Sequence, residues 1–365
     1  MKSSIKSLSI FVFAFLVLQS CGNADDDVNF RLNQGELGQG KEADDCLAFG
    51  DNELLLSIQD QFTTLPGKVS ILFKVSNDQG VPVSGLTANQ FTIYEQGRND
   101  DCFNTISSSE SQARISPNSQ VFSNNTLLVL DLSNSVLQGS LDELKTASTS
   151  FVDNVMPEVE TASFKMAIYW FDGEDILHEL NPLTSSTTDL IAAINGITSD
   201  ISNDPSTDLY GAVIKSAKIA EDIVDDANSI QDAPIIAASV VIFTDGTDQA
   251  SRFTEESALN AVNKANSNIS FFTIGLGAEI DQEVLESIGK TSSVVASNTT
   301  ELETTFNQIS ARVSEQANSF YLFEYCTPKR DGSGENNLVI QLTDGVRQGA
   351  VQTKFDAEGF TGGCE

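Results

Sequence analysis

Residues 125–318 alternate between short apolar runs and amphipathic segments, and this alternation is what most restricts the fold. The run 126–130 is almost wholly apolar, which is typical of a parallel strand covered on both faces. Residues 209–224 carry apolar side chains at helical spacing and predict an amphipathic helix. Strands that alternate with helices predict a doubly wound, Rossmann-like α/β domain with a mainly parallel sheet. Further strands are predicted at 164–171, 235–244, 269–274 and 294–296, and further helices at 141–155, 189–197, 255–265, 282–288 and 301–317.

The segments on either side of this domain, 49–124 and 319–365, read as strands separated by glycine-containing turns. Residues 81–97 resemble the immunoglobulin-like strands of bacterial secreted proteins. Neither flank is large enough to close a sandwich alone. We therefore predict that the two flanks form one immunoglobulin-like β-sandwich, with the α/β domain (125–318) inserted between them.

The N-terminus has the features of a secretion signal. Two lysines precede the apolar run 8–18, which is shorter than the roughly 20 residues that a membrane span needs and is typical of a signal peptide. The sequence 18–21, Leu-Gln-Ser-Cys, resembles the lipobox of bacterial lipoproteins, which implies a signal peptide at 1–20 and lipid on Cys21. Ordinary secretory cleavage and an uncleaved anchor are the alternatives.

The acidic triplet 25–27 resembles the surface-export signal of lipoproteins in Bacteroidetes-type bacteria, although a solvated spacer would have the same composition. We predict a flexible acidic tether over 21–48. The expected location is the outer membrane, with exposure at the cell surface and the lipid as the sole membrane contact.

Four cysteines remain besides Cys21, and in an oxidising compartment they suggest two disulfides with three possible connectivities. Two precede the inserted domain and two follow it, so we expect the pairs Cys102–Cys326 and Cys46–Cys364 to tie the flanks together. There is no C-x-x-C pair and only one histidine, which argues against a Cys/His zinc site.

The formal net charge of −32 argues against a nucleic-acid partner, because the phosphates would be repelled. The same charge suits an extracellular protein that attracts cations.

Three loops carry oxygen ligands suited to a divalent ion. Asp131, Ser133 and Ser135 form a D-x-S-x-S motif directly after the apolar run 126–130, Thr207 precedes the amphipathic helix, and Asp245 ends the strand 235–244. Hard cations such as Mg²⁺ prefer such oxygens. Taken alone, the first motif is a weak signal, because Asp, Ser and Asn at a strand end commonly form an Asx-turn or a helix cap.

Together, the three loops resemble the metal-ion-dependent adhesion site (MIDAS) of von Willebrand factor A (VWA) domains, over residues 125–318. The resemblance implies Mg²⁺, or Mn²⁺ or Ca²⁺, held by Asp131, Ser133, Ser135 and Thr207, with Asp245 acting through water. It also implies a position left for an Asp or Glu carboxylate of a partner protein.

The chain departs from the family pattern in the second loop. Pro205 and Ser206 stand where glycines are usual, and Asp208 stands where Asn is common. An additional carboxylate there would either strengthen cation binding or repel an acidic ligand.

These features favour a metal-dependent adhesion module over two alternatives. One is an envelope-assembly lipoprotein whose metal only stabilises the fold. The other is a secreted hydrolase, for which the sequence offers no G-x-S-x-G motif and a single histidine, His178, that we expect to be structural. We therefore expect no enzymatic activity.

Overall fold

The computed structural model describes residues 40–97, 99–116, 122–228, 235–329, 334–361 and 363. The predicted signal peptide, Cys21, the acidic triplet and Cys364 lie outside these residues. In the part of the chain that is described, none of the helices combines the length and the apolar composition that crossing a bilayer requires.

The two flanks contribute eight strands to two antiparallel sheets. Their bounds are β1 (Leu54–Thr64), β2 (Lys68–Asn77), β3 (Phe91–Gln96), β4 (Asn104–Ile106), β5 (Arg114–Ser116), β12 (Phe320–Cys326), β13 (Glu335–Asp344) and β14 (Arg347–Asp356), with a short helix α1 (Ser108–Ser111) and 3₁₀ turns at Asp45–Leu47 and Ala88–Gln90. One sheet has the order β1-β2-β12-β5 and the other the order β14-β13-β3-β4. Strands from before and after the inserted domain therefore lie side by side in both sheets.

The two sheets enclose a common apolar core. Phe73 and Phe91 come from the N-terminal flank, and Phe323 and Phe355 come from the C-terminal flank, and all four belong to one buried cluster. In β3, buried and half-buried residues alternate, as expected for a strand with one face on a core. The immunoglobulin-like character of this arrangement stays a prediction, as do the domain boundaries.

Between the flanks, the chain forms a six-stranded sheet with helices on both faces. Its elements are β6 (Phe122–Asp131), α2 (Asn134–Gly139), α3 (Leu141–Val155), β7 (Phe164–Phe171), β8 (His178–Thr184), α4 (Thr187–Asn195), α5 (Leu209–Asn228), β9 (Ile235–Thr244), α6 (Glu255–Lys264), β10 (Ile269–Leu276), α7 (Gln282–Ile288), β11 (Ser292–Ala296), a 3₁₀ turn (Thr299–Glu301) and α8 (Leu302–Ala317). The strand order is β11-β10-β9-β6-β7-β8. All neighbouring pairs are parallel except β7–β8. The predicted α/β fold is confirmed.

The central strand β6 is buried at every position, because helices cover both faces of the sheet. Side chains of α3, α4 and α8 pack on one face, and those of α5, α6 and α7 pack on the other.

The direction of the chain changes at the centre of the sheet. From β6 the chain continues to β7 on one side, and β9 lies on the other side of β6. The carboxyl ends of β6 and β9 therefore form a topological switch point, where ligands bind in open α/β sheets.

Strand β8 and helix α2 were not predicted. Strand β8 runs antiparallel at the sheet edge and has no fully buried residue, so it lacks the continuous apolar run of a central strand. It is the second strand of a hairpin whose turn, between β7 and β8, contains Asp172 and Gly173.

The sandwich packs directly against the α/β domain. Phe122 of β6 and Phe320 of β12, at the two ends of the insertion, have ring centroids 5.1 Å apart. Leu72, Ala237 and Leu322 complete this small buried cluster. The inserted domain is thus attached at both chain crossings by apolar contacts.

The predicted disulfide pairing is wrong, because Cys46 is bonded to Cys102, with their Cα atoms 5.8 Å apart. The reason is the path of the chain before β1. Lys41 pairs with Gln352 of β14, and Phe49 packs on Tyr94 of β3, so residues 40–49, which the prediction placed mainly in the tether, lie along one sheet.

The remaining described cysteine, Cys326, is also disulfide-bonded, and its partner lies outside the described residues.

Candidate metal site

Asp131 ends strand β6 with a carboxylate that is wholly buried. Its Oδ1 accepts a hydrogen bond from the backbone N–H of Ser133 at 2.9 Å, and its Oδ2 accepts one from the hydroxyl of Thr244 at 2.6 Å. Burial raises the pKa of Asp131 to about 7, although these hydrogen bonds oppose the rise. The site therefore contains a carboxylate whose ionised form is costly unless a positive charge lies nearby.

A chain of hydroxyl contacts leads from Asp131 to Asp245. The hydroxyl oxygens of Ser133 and Ser135 lie 3.2 Å apart, and the Ser135 hydroxyl donates to Asp245 Oδ1 at 2.9 Å. Burial raises the pKa of Asp245 as well, and the hydrogen bond from Ser135 opposes that rise. Since Ser133 is buried and Ser135 is exposed, the chain runs from the interior to the surface.

Thr207 joins these loops through its backbone. Its carbonyl oxygen accepts hydrogen bonds from the N–H groups of Gln249 and Ala250 at 2.9 and 3.1 Å, and the N–H of Asn134 donates to the carbonyl of Pro205 at 3.1 Å. The loops that carry the three predicted motifs are thus hydrogen-bonded to one another. The Thr207 side chain is itself buried.

Asp208, the additional carboxylate of the second loop, is buried and paired with Lys215 at 3.1 Å. It also accepts a hydrogen bond from the N–H of Gly211 in the first turn of α5, where a Cβ would lie only 2.0 Å from Asp208 Oδ2. Burial raises the pKa of Asp208, and Lys215 opposes the rise. Lys215 also contacts Asp175 at 2.7 Å, so its positive charge is shared between the two carboxylates and compensates Asp208 only in part.

Two residues that support the site were not predicted. Thr244 holds Asp131 because Leu130 of β6 pairs with Phe243 of β9, which brings the next residue of each strand together; no sequence signal indicated this register. Asp172 is buried after β7 and accepts hydrogen bonds from Ser202 Oγ and from two backbone N–H groups at 203 and 204, which places the loop before Thr207.

The donor set fits a divalent cation. Two carboxylates and two hydroxyls meet where the sheet offers no compensating charge, since no ion pair of Asp131 or Asp245 occurs among the described residues. A buried carboxylate without a counter-charge is unfavourable, and a hard divalent ion relieves that cost.

A second group of possible metal ligands lies elsewhere, at Asp172, Glu174 and His178. It shares no residue with the predicted site.

Comparison with protein families shows that residues 125–312, just over half of the chain, match the von Willebrand factor type A domain. The chain belongs to the VWA family. No curated protein matches it.

Solved structures show weaker similarity. BatB from Bacteroides thetaiotaomicron is 18% identical, with a TM-score of 0.40 and coverage of 53% of this chain and 98% of that chain. A von Willebrand factor type A protein from Catenulispora acidiphila is 11% identical, with a TM-score of 0.44 and coverage of 92% and 76%. Proximal thread matrix protein 1 from the mussel byssus, with a zinc-occupied MIDAS motif, is 15% identical, with a TM-score of 0.43 and coverage of 53% and 48%. The family assignment therefore relies on the match over residues 125–312.

Proposed function

We propose that this protein is a metal-dependent protein-binding module on a lipid-anchored protein of the cell surface. The observation that carries the proposal is the hydrogen-bonded chain from buried Asp131 through Ser133 and Ser135 to Asp245, which has no basic partner among the described residues. VWA domains are typically interaction modules rather than enzymes, and the proposal follows that class.

In this proposal, Asp131, Ser133, Ser135 and Thr207 hold the ion, and Asp245 supports it from the opposite loop. The ion is Mg²⁺, or Mn²⁺ or Ca²⁺, and when bound it supplies a positive centre for an Asp or Glu carboxylate of a partner protein. The hydroxyls contribute oxygens without charge, so the ion keeps its attraction for an acidic group from outside.

The residues around this centre have distinct tasks. Thr244 fixes the orientation of the Asp131 carboxylate, and Asp172 fixes the loop that carries Thr207. Lys215 pairs with Asp208 as well as with Asp175, which reduces the repulsion that the Asp208 carboxylate would exert on an acidic ligand. The exposed position of Ser135 puts the outer end of the site at the protein surface.

The anchor is proposed from the sequence at 18–21, with lipid on Cys21 and an outer-membrane position. Membrane contact would then occur through the lipid alone, and the acidic tether would hold the folded domains away from the bilayer.

A chelator-controlled interaction screen on intact cells tests the function. Wild type should capture acidic protein partners in Mg²⁺ and lose them in chelator, and Asp131→Ala should capture none under either condition. Asp153→Ala removes an exposed carboxylate from α3 and should behave as wild type. Protease treatment of the same cells tests surface exposure.

Binding that survives both chelation and Asp131→Ala would exclude recognition through the metal. Circular dichroism of the variants separates this result from loss of the fold.

A further inference from the structure

The β7–β8 hairpin brings together three side chains that the proposed function does not use as ligands of the ion at Asp131. One ligand atom from each of Asp172, Glu174 and His178 lies within 4.8 Å of the other two. His178 Nε2 is 3.4 Å from Glu174 Oε2. The combination of an imidazole with two carboxylates differs from the all-oxygen set at Asp131.

The imidazole of His178 has a fixed position. Trp170 and His178 are cross-strand neighbours in the hairpin, and their rings stack with centroids 3.9 Å apart and planes 10° apart. Its Nε2 atom is inaccessible to solvent and makes no hydrogen bond among the described residues. A buried nitrogen whose neighbour is a carboxylate oxygen 3.4 Å away, without a hydrogen bond, is unfavourably placed, so the arrangement suits a ligand that accepts the nitrogen lone pair.

The carboxylate of Asp172 is held in place by the surrounding backbone. Its Oδ2 accepts three hydrogen bonds, from the Ser202 hydroxyl and the N–H groups at 203 and 204, whereas its Oδ1 accepts one, from the N–H of Glu174 at 2.8 Å. A carboxylate oxygen has more than one lone pair, so Oδ1 can also bind an ion. The Glu174 carboxylate is half-buried and can approach from the turn.

We propose that Asp172, Glu174 and His178 form a second cation site, distinct from the one at Asp131, which takes a borderline transition metal such as Zn²⁺. Imidazole nitrogen favours Zn²⁺, Ni²⁺ or Cu²⁺, whereas Mg²⁺ and Ca²⁺ favour all-oxygen sites. Three protein ligands leave further positions for water. An ion here would tie the hairpin to the Asp172 carboxylate, and therefore to the loop that leads to Thr207.

The chain contains a single histidine, so the imidazole resonances in a proton–carbon NMR spectrum belong to His178 alone. Zn²⁺ is titrated into the full-length chain and into Asp131→Ala. In both proteins, one equivalent of Zn²⁺ should move the imidazole resonances to a new, saturated position, and an excess of Mg²⁺ should not.

Glu174→Gln removes one ligand charge with little change in shape, and we expect it to weaken Zn²⁺ binding by at least about tenfold, since even indirect partners of a metal contribute that much. Glu179→Gln is the matched control, because Glu179 lies in the same hairpin but contacts Tyr169 rather than the cluster. It should bind Zn²⁺ as wild type does.

Imidazole resonances that do not respond to Zn²⁺ would overturn the proposal and leave His178 and Glu174 as neighbouring side chains without a metal. An equal response in Glu174→Gln would exclude the cluster, and a response that disappears in Asp131→Ala would exclude a separate site. None of these results depends on partner binding, so the proposed function can fail or hold independently.

Discussion

Asp131→Asn tests whether the carboxylate at the end of β6 destabilises the protein when no metal is bound. The side chain is wholly buried, and its oxygens accept hydrogen bonds from Ser133 and Thr244. Asn has nearly the same shape. The amide oxygen of Asn can accept the hydrogen bond from the N–H of Ser133, and the amide N–H can donate one to the hydroxyl of Thr244. The substitution therefore removes the charge and retains the contacts.

The expected magnitude follows from the pKa of Asp131, which burial raises from 3.8 to about 7. At about 1.4 kcal/mol for each pH unit, this rise corresponds to about 4 kcal/mol of unfolding free energy. Well below pH 3.8, the carboxyl is protonated in both the folded and the unfolded state. Between 3.8 and about 7, the unfolded state releases its proton first, so the stability of the metal-free protein falls as the pH rises. Above about pH 7, the carboxyl is ionised in both states, and the buried charge of Asp131 destabilises the folded state by the full amount.

The assay is urea denaturation in chelator over this pH range. At about pH 8, Asp131→Asn should be more stable than wild type by up to about 4 kcal/mol, and the difference should become small near about pH 4 and vanish at about pH 3 and below. In Mg²⁺, wild type should gain stability by mass action and the variant should not.

Asp153→Asn is the matched control for the loss of one charge, and its effect should stay within about 0.5 kcal/mol because the residue is exposed. If Asp131→Asn is less stable than wild type in chelator at high pH, or if its effect does not depend on pH, the charge is not the source of the cost.

Three further changes test other parts of the structure. Thr244→Val removes the hydroxyl 2.6 Å from the β6 carboxylate, which should reduce the Mg²⁺-induced rise in melting temperature; an unchanged rise would contradict its positioning role. Joint replacement of Cys46 and Cys102 by Ser opens a link with a sequence separation of 56 residues and should lower the unfolding free energy by about 4 kcal/mol in urea denaturation, whereas no loss would contradict the pairing. Gly349→Ala places a Cβ 1.8 Å from the backbone oxygen of Leu54 and should destabilise the sandwich by at least about 2 kcal/mol in the same assay; a neutral effect would refute this close approach of β1 and β14.

Much of the α/β domain could be predicted because its strands are buried on both faces. The strand at 164–171, the strand at 235–244 and the helix at 282–288 have the predicted bounds. Edge strand β8 has no such signal, since its residues are only partly buried and its pairing depends on the hairpin turn.

The candidate site likewise contains residues that the sequence predicted and contacts that it did not. The residue types after β6 and β9 indicated cation ligands, and the structure connects Asp131, Ser133, Ser135 and Asp245 through hydrogen bonds. The contribution of Thr244 depends on the register between two strands that lie more than a hundred residues apart, which local sequence does not encode.

The sequence by itself determined most of the strands and helices of the α/β domain, because the spacing of apolar residues follows the periodic burial of these elements. It also determined that oxygen ligands follow strands β6 and β9. Only the tertiary structure decided that Cys46 pairs with Cys102, that Lys215 contacts Asp208, and that His178 faces two carboxylates. These contacts depend on how distant segments pass one another, and that path is set by the packing of the whole chain.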